Sequence, residues 1–264
     1  MKKDEIKIEK LTIKQLEEYL KNKDHIETEI LQAMHNDSRL GVQKLLQRYQ
    51  QKIKQLELEK KRLEKLFFYE RKLYMNSIYP VAGIDEAGRG PLAGPVFAAA
   101  VILPLECNIT GLKDSKKVSK ARREELFEEI KEKSLAWGVG YCSAKVIDSY
   151  NILEATKLAM VKAITRLKIK PVHILIDALK LDLLSIPQTS LVKGEDKSAS
   201  IAAASIIAKV SRDKYMENIS KKYPQYNFEI HKGYPTKEHY ECIKRFGPCP
   251  EHRLTFAGVI KENN

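Results

Sequence analysis

No apolar run in this chain approaches the roughly 20 residues needed to span a bilayer, so a membrane-spanning protein is not expected. Cysteine is scarce. Cys107, Cys142, Cys242 and Cys249 include no Cys-x-x-Cys pair, and nothing in a chain of 264 residues points to a disulfide framework. The opening residues, Met1-Lys2-Lys3-Asp4-Glu5-Ile6-Lys7, lack the apolar stretch of a secretory signal. A reducing cytoplasm is the expected compartment. Acidic residues are outnumbered, 35 against 47 Lys and Arg, which leaves a formal net charge of +12 and favours polyanion partners, nucleic acid first. Glycine and proline are nearly missing from the first 76 residues, where Gly41 is the only glycine and proline does not occur.

That opening segment is rich in Lys, Glu, Gln and Leu and reads as helical. Thr12-Ile13-Lys14-Gln15 has the spacing of a capping box and should open a helix. Ile13, Leu16 and Leu20 would share one of its faces. A longer helix is predicted from about Leu40 to Tyr74, with Val42, Leu45, Tyr49, Ile53, Leu56, Leu63, Leu66 and Leu73 at spacings of three, four and seven. Asn36-Asp37-Ser38 marks the break, and the whole is expected to be a helical hairpin. After Ser77-Ile78-Tyr79-Pro80 the texture changes. Short apolar runs at Val81–Ile84, Val96–Leu103, Leu135–Cys142 and Val172–Ile176 read as strands. Helical stretches follow at about Ser119–Lys133, Lys145–Leu167 and Ala199–Lys222. The expected fold class is α/β: a mixed sheet covered by helices. The domains are an N-terminal α-helical extension over residues 1–77 and a catalytic domain over 78–264.

Acidic residues cluster at element ends. Asp85-Glu86 closes the first apolar run and meets a small-residue turn, Ala87-Gly88-Arg89-Gly90-Pro91. Side chains alternate along a strand, yet at its end two neighbours can converge. Converging carboxylates suit hard divalent cations. Asp177 ends His173-Ile174-Leu175-Ile176-Asp177 in the same manner, where open α/β sheets build their sites. Glu195-Asp196 precedes a helix of small residues, Ala199 to Ala208, able to press against the sheet. Taken singly, each of these acids reads as a helix cap or turn residue. Together they are what a two-ion site needs.

The chain resembles the type 2 ribonucleases H, specifically bacterial ribonuclease HII. The likeness rests on Gly83 to Val96, Leu112 to Lys117, His173 to Asp177 and Ser200 to Asp213. It continues through His231-Lys232-Gly233-Tyr234 with Thr236 and His239, and closes at Glu251-His252-Arg253. It covers about residues 78–260 and implies a ribonuclease-H-like fold. It also implies an endonuclease that cuts the RNA strand of RNA–DNA hybrids and incises 5′ to single ribonucleotides in duplex DNA, leaving 3′-hydroxyl and 5′-phosphate ends. By position, Asp85, Glu86 and Asp177 match the family's carboxylates for two Mg²⁺ or Mn²⁺ ions. Gly88, Arg89 and Gly90 match the loop that reads the ribose, and Tyr234 matches the aromatic beside the neighbouring sugar. Ser115 and Lys116 are expected to hold phosphates. The family's fourth carboxylate is an Asp directly after Lys-Gly; here Glu195 stands there and Asp196 follows. Glu195 is the expected ligand, with Asp196 the alternative by a one-residue slip. A monomer is expected, and the role of the helical extension is not inherited from the likeness.

Other signals carry less. His239, Cys242, Cys249 and His252 have a symmetrical spacing, but not a usual zinc spacing, and proline flanks Cys249 on both sides. Trp137, the only tryptophan, is expected in the core. Ser205 and Lys209 read as packing and surface. Tyr223, Tyr226 and Phe228 suit either base stacking or the core. The sister type, ribonuclease HIII, has a different glycine loop without the arginine, and Arg89 argues against it. A non-catalytic nucleic-acid binder would gain nothing from carboxylates that face phosphate.

Overall fold

The computed structural model describes residues 8–260 apart from 22, 24 and 25. The chain divides into two compact units, Met1–Arg62 and Leu63–Asn264. In the first, Thr12 and Gln15 form the expected capping box: Gln15 N donates to Thr12 Oγ1 at 3.3 Å, and Thr12 N donates to Gln15 Oε1 at 2.9 Å. Helix α1 (Ile13–Lys21) follows, then α2 (Thr28–Asn36) and α3 (Leu40–Leu66). The predicted break at Asn36-Asp37-Ser38 falls between α2 and α3. The segment is nevertheless not a two-helix hairpin, because α2 is a helix of its own. Leu16, Leu20, Ile30, Met34, Val42, Leu46 and Tyr49 bury together. Ile13, predicted on the same face, is 42% exposed. Arg39 ties the unit's chain crossings: it pairs with Asp37 at 2.6 Å and donates to the carbonyls of Leu11 and Ile8 at 2.7 and 3.0 Å.

The helix predicted from Leu40 to Tyr74 is interrupted. Phe67 leaves helical geometry (φ −83°, ψ 10°) while its ring is buried, and α4 (Phe68–Met75) begins after it. A five-stranded sheet follows, in the order β3-β2-β1-β4-β5. Its strands are β1 (Val81–Ala87), β2 (Val96–Ile102), β3 (Ala136–Cys142), β4 (His173–Asp177) and β5 (Gln188–Leu191). The half formed by β3, β2 and β1 is antiparallel; β4 and β5 join β1 in parallel. Helices α5 (Lys120–Lys133), α6 (Ala144–Thr165) and α7 (Ala199–Lys222) match the predicted stretches, and α8 (Phe228–His231) and α9 (Lys237–Phe246) complete the unit. Asn151 (φ 69°, ψ 166°) kinks α6 and recaps it, its side chain accepting from the amides of Leu153 and Glu154.

The sheet is buried on both faces. Ala82, Ile84, Ala98 and Ala100 pack with α6, while Ala99 and Val101 pack with α7, the end of α3 and Phe67. Small residues along β2 and α7 let both helices come close. Trp137 departs from expectation: it is 37% exposed on the edge strand β3. Gly138 and Gly140 occupy the side against which α6 presses, so the rings of Trp137 and Tyr141 must take the less covered side. Tyr141 stacks there on Phe97, ring centroids 5.3 Å apart. Among the described residues, no helix is long and apolar enough to cross a membrane.

Candidate active site

Parallel pairing puts Ile84 opposite Ile176. Asp85 and Asp177 are therefore the next residues on neighbouring strands, and their side chains leave the sheet on the same side. That side belongs to α7. A Cβ at Gly83, two residues earlier, would lie 2.1 Å from the Ser200 carbonyl carbon, so the first turn of α7 sits directly on β1. Asp177 Oδ1 accepts the Gly194 amide at 2.8 Å. Gly194 opens a 3-10 turn, Gly194–Asp196, and this bond seats Glu195 next to Asp177. The strand ends thus bring together Asp85, Glu86, Asp177 and Glu195.

Crowding these acids has an electrostatic cost. Burial drives the Asp85 carboxyl well above the usual carboxylate range, and the charges of Glu86 and Asp177 push the same way. Burial also raises Glu86, opposed by the Arg89 guanidinium, whose Nη1 lies 3.5 Å from Glu86 Oε1. Glu195 is raised by burial, with Asp177 and Asp114 adding to it. Asp196 is not part of this group. It is exposed and paired with Lys117 at 2.6 Å.

The turn after β1 is held from beneath. Gly88 adopts φ +94°, where side chains are disfavoured, and a Cβ there would meet Arg212 Nε at 2.1 Å. Arg253, fully buried, donates Nη1 to the Arg89 carbonyl at 2.8 Å and Nη2 to those of Gly88 and Gly94 at 2.5 and 2.9 Å. Arg212, also fully buried, donates to the carbonyls of Pro95 and Ala93, both at 3.1 Å. Leu92 N donates to the Gly233 carbonyl at 2.8 Å, which joins the loop to the segment carrying Tyr234. The Tyr234 ring is 39% exposed and lies 5.6 Å from the Arg212 guanidinium. Arg212 thus lies against both the buried Gly88 and the Tyr234 ring, while Arg89 and Gly90 are exposed. Lys116 is exposed and its charge reaches Glu86 and Glu195. Ser115 is buried, its hydroxyl 3.0 Å from Ser205 Oγ.

The oxygens of this site suit a hard divalent ion. Glu86 Oε2 and Glu195 Oε2 are buried without a hydrogen-bond partner, an arrangement that is unfavourable unless a cation compensates it. An all-carboxylate donor set matches Mg²⁺ or Mn²⁺. Among the described residues, no three His, Cys, Asp or Glu side chains already stand grouped to hold an ion.

Sequence reasoning overlooked three residues. Ser205, read as packing, offsets part of the burial that raises the Asp85 carboxyl, and its hydroxyl lies 3.0 Å from Ser115 Oγ. Arg212 and Arg253 lie in the quoted motifs without an assigned role, and their neighbours, Ser211 and Asp213 or His252 and Leu254, give no signal that they are buried. His239 and His252 do meet, Nε2 to Nε2 at 3.1 Å. Cys249 N donates to His252 Nδ1 at 2.9 Å. His252 must then carry its proton on Nε2 and donate to His239, whose Nδ1–H donates to the Tyr234 carbonyl at 3.0 Å. Every ring nitrogen of the pair is occupied by a hydrogen bond. Tyr226 and Phe228 are core: both are buried and stack on each other with centroids 5.3 Å apart.

Comparison with known proteins agrees with this geometry. The family profile described as Ribonuclease HII matches residues 82–259, and a profile for the Ribonuclease HII N-terminal domain matches residues 12–74. Ribonuclease HII of Bacillus cytotoxicus is 51% identical over 250 residues, covering 95% of this chain and 96% of its own. The crystal structure of ribonuclease H2 from Pyrococcus horikoshii OT3 superposes with a TM-score of 0.57 at 30% identity, over 68% of this chain and 94% of that one. Ribonuclease HII from Archaeoglobus fulgidus, solved in complex with PCNA, superposes with a TM-score of 0.58 at 27% identity, over 70% and 98%.

Proposed function

The chain belongs to the ribonuclease HII family of metal-dependent endonucleases, and on that footing we propose that it cuts the RNA strand of RNA–DNA hybrids and incises 5′ to single ribonucleotides in duplex DNA. The observation that carries this reading is the placement of Asp85 beside Asp177 on adjacent strands, with Glu86 and Glu195 at the rim and the Gly88-Arg89-Gly90 turn adjoining.

Asp85, Glu86, Asp177 and Glu195 would hold two Mg²⁺ or Mn²⁺ ions. When bound, such ions supply an activated water and stabilise the departing 3′ oxygen. The chain's own groups do the rest. Ser205 favours the ionised form of the Asp85 carboxyl. Gly88, Arg89 and Gly90 test for a 2′-hydroxyl, the one group that separates a ribose from a deoxyribose at a given position. Tyr234 packs against the neighbouring sugar, and Lys116 draws the phosphate backbone toward the site. Burial and the neighbouring carboxylates raise both Asp85 and Glu86, and a bound cation would offset that rise. Ion binding and proton release are therefore linked.

The test is a DNA duplex containing one internal ribonucleotide, offered with Mg²⁺ or Mn²⁺, alongside an Asp85→Asn variant. Incision by the native chain alone, 5′ to the ribonucleotide, is the expected result. Binding without incision under either metal would establish a nucleic-acid binder instead. A requirement for several consecutive ribonucleotides would move the assignment to the sister type.

A further inference from the structure

One buried carboxylate has no place in the mechanism above. Glu70 lies on α4, in the helical segment before the sheet, and is 3% exposed. Its Oε1 accepts the Ser198 hydroxyl at 2.6 Å and the Ser200 amide at 2.9 Å. Its Oε2 and the Ser200 hydroxyl are buried without partners. Burial raises the Glu70 carboxyl, and the bonds from Ser198 and Ser200 hold it down in part.

These contacts make a two-tier cap. Ser198 is the N-cap of α7, its Oγ accepting the Ile201 amide at 3.2 Å. Glu70 takes the Ser200 amide and turns the Ser198 hydroxyl proton toward itself, which leaves a lone pair of that oxygen for Ile201. A negative group also suits the positive end of a 24-residue helix. A cap of this kind is usually worth only stability. Its location argues for more. The capped turn is the one seated on Gly83, two residues before Asp85. Upstream, Ser198 N and Lys197 N donate to the Gly194 carbonyl at 2.8 and 2.9 Å, and Gly194 N donates to Asp177. Glu195 sits inside that turn. An unbroken run of hydrogen bonds thus links Glu70, Ser198, Gly194 and Asp177.

We propose that Glu70 is a positioning residue for the candidate active site: by clamping the start of α7 it fixes the Gly194–Asp196 turn and sets Glu195 against Asp177. The inference rests on the carboxylate site proposed above, and it gives the helix that precedes the sheet a part in shaping that site.

The full chain and its Glu70→Ala, Glu70→Gln and Ser198→Ala variants are compared by Mn²⁺ calorimetry, by hydrogen exchange across residues 194–201, and by thermal unfolding. Gln retains an oxygen for both bonds; Ala does not. In Glu70→Ala the amides of Gly194, Lys197 and Ser198 lose protection and Mn²⁺ affinity drops on the order of 10–100-fold, the usual scale for removing a group that orients a ligand. Glu70→Gln restores most of both, and Ser198→Ala reproduces part of the loss. A Glu70→Ala protein that melts earlier yet keeps native Mn²⁺ affinity and native protection over 194–198 overturns the proposal and leaves an ordinary cap. If Glu70→Ala does not fold, Ser198→Ala decides by the same two readouts. Failure of the native chain itself to bind Mn²⁺ would refute the carboxylate site rather than the clamp, because the exchange pattern reads the clamp without any ion.

Discussion

Lys117 Nζ lies 2.6 Å from Asp196 Oδ1 and 2.7 Å from Oδ2, a two-point grip that holds the second acid of the Glu195-Asp196 pair at the surface. Glu195, one residue earlier, has a buried unpaired oxygen and is influenced by the charge of Asp177. The turn whose Gly194 amide donates to Asp177 therefore favours Glu195 over Asp196 as the candidate ligand.

Glu195→Gln is therefore expected to lower incision by about 10–100-fold at fixed Mn²⁺, with most of the loss recovered at higher metal concentration. Asp196→Asn breaks only an exposed ion pair, worth about 0–1 kcal/mol, and should stay within about threefold of the native rate. Steady-state kinetics over a Mn²⁺ series checks both, and the opposite ranking would give the ligand role to Asp196.

Arg253→Lys should act on recognition. A lysine cannot present the guanidinium fork that reaches the carbonyls of Gly88, Arg89 and Gly94 at once. Each lost charged hydrogen bond costs about 1.5–3 kcal/mol where the acceptor stays buried. The expected outcome is a higher KM and poorer preference for a ribonucleotide over an all-DNA duplex. Competition between the two duplexes measures it, and unchanged preference would show that the loop holds its shape unaided.

Gly83→Ala should damage the fold itself. The added methyl would stand 2.1 Å from backbone of α7 rather than from a flexible side chain, so helix and strand must part. Overpacking of this kind costs about 1–3 kcal/mol or more. Thermal unfolding should shift down by several degrees, and a variant as stable as the native chain would mean that α7 is free to move off β1.

The histidine chain makes an acid-side prediction. Burial pushes His239 and His252 down to about 4, and in His252 the His239 ring adds to the shift. Both rings are neutral in the folded state, whereas the unfolded chain takes up protons below about 6.5. Their contribution to stability is complete above that value and is lost as pH falls from about 6.5 through about 4. In proton NMR of the full chain, the His239 and His252 rings should remain neutral at pH 5.5. Titration of both rings near 6.5 would refute the buried, neutral pair.

The strands and helices that position the site were legible because their apolar runs and caps are local signals. Val81–Ile84 and Val172–Ile176 announced β1 and β4, and the acids ending them marked the site. β5 was missed because Gln188-Thr189-Ser190-Leu191 has neither an apolar run nor alternation; its pairing with β4 makes it a strand. The break at Phe67 was invisible because helical spacing continues through it, and only the tertiary burial of its ring turns the chain. Trp137 was misplaced because size argues for the core while edge position decides otherwise. Ser205, Arg212 and Arg253 were legible as residues but not as contacts, since their partners lie far off in sequence.

One consequence follows from the seam at β1, where the antiparallel half of the sheet meets the parallel half. Asp85 is made early, but its counterpart Asp177 is separated from it by β2, α5, β3 and α6, and the helix that braces both comes later still. A chain emerging from the ribosome can form the first hairpin and yet hold only Asp85 and Glu86 of the four candidate carboxylates. The candidate site is thus complete only once β4, the Gly194–Asp196 turn and α7 have joined the strands built first.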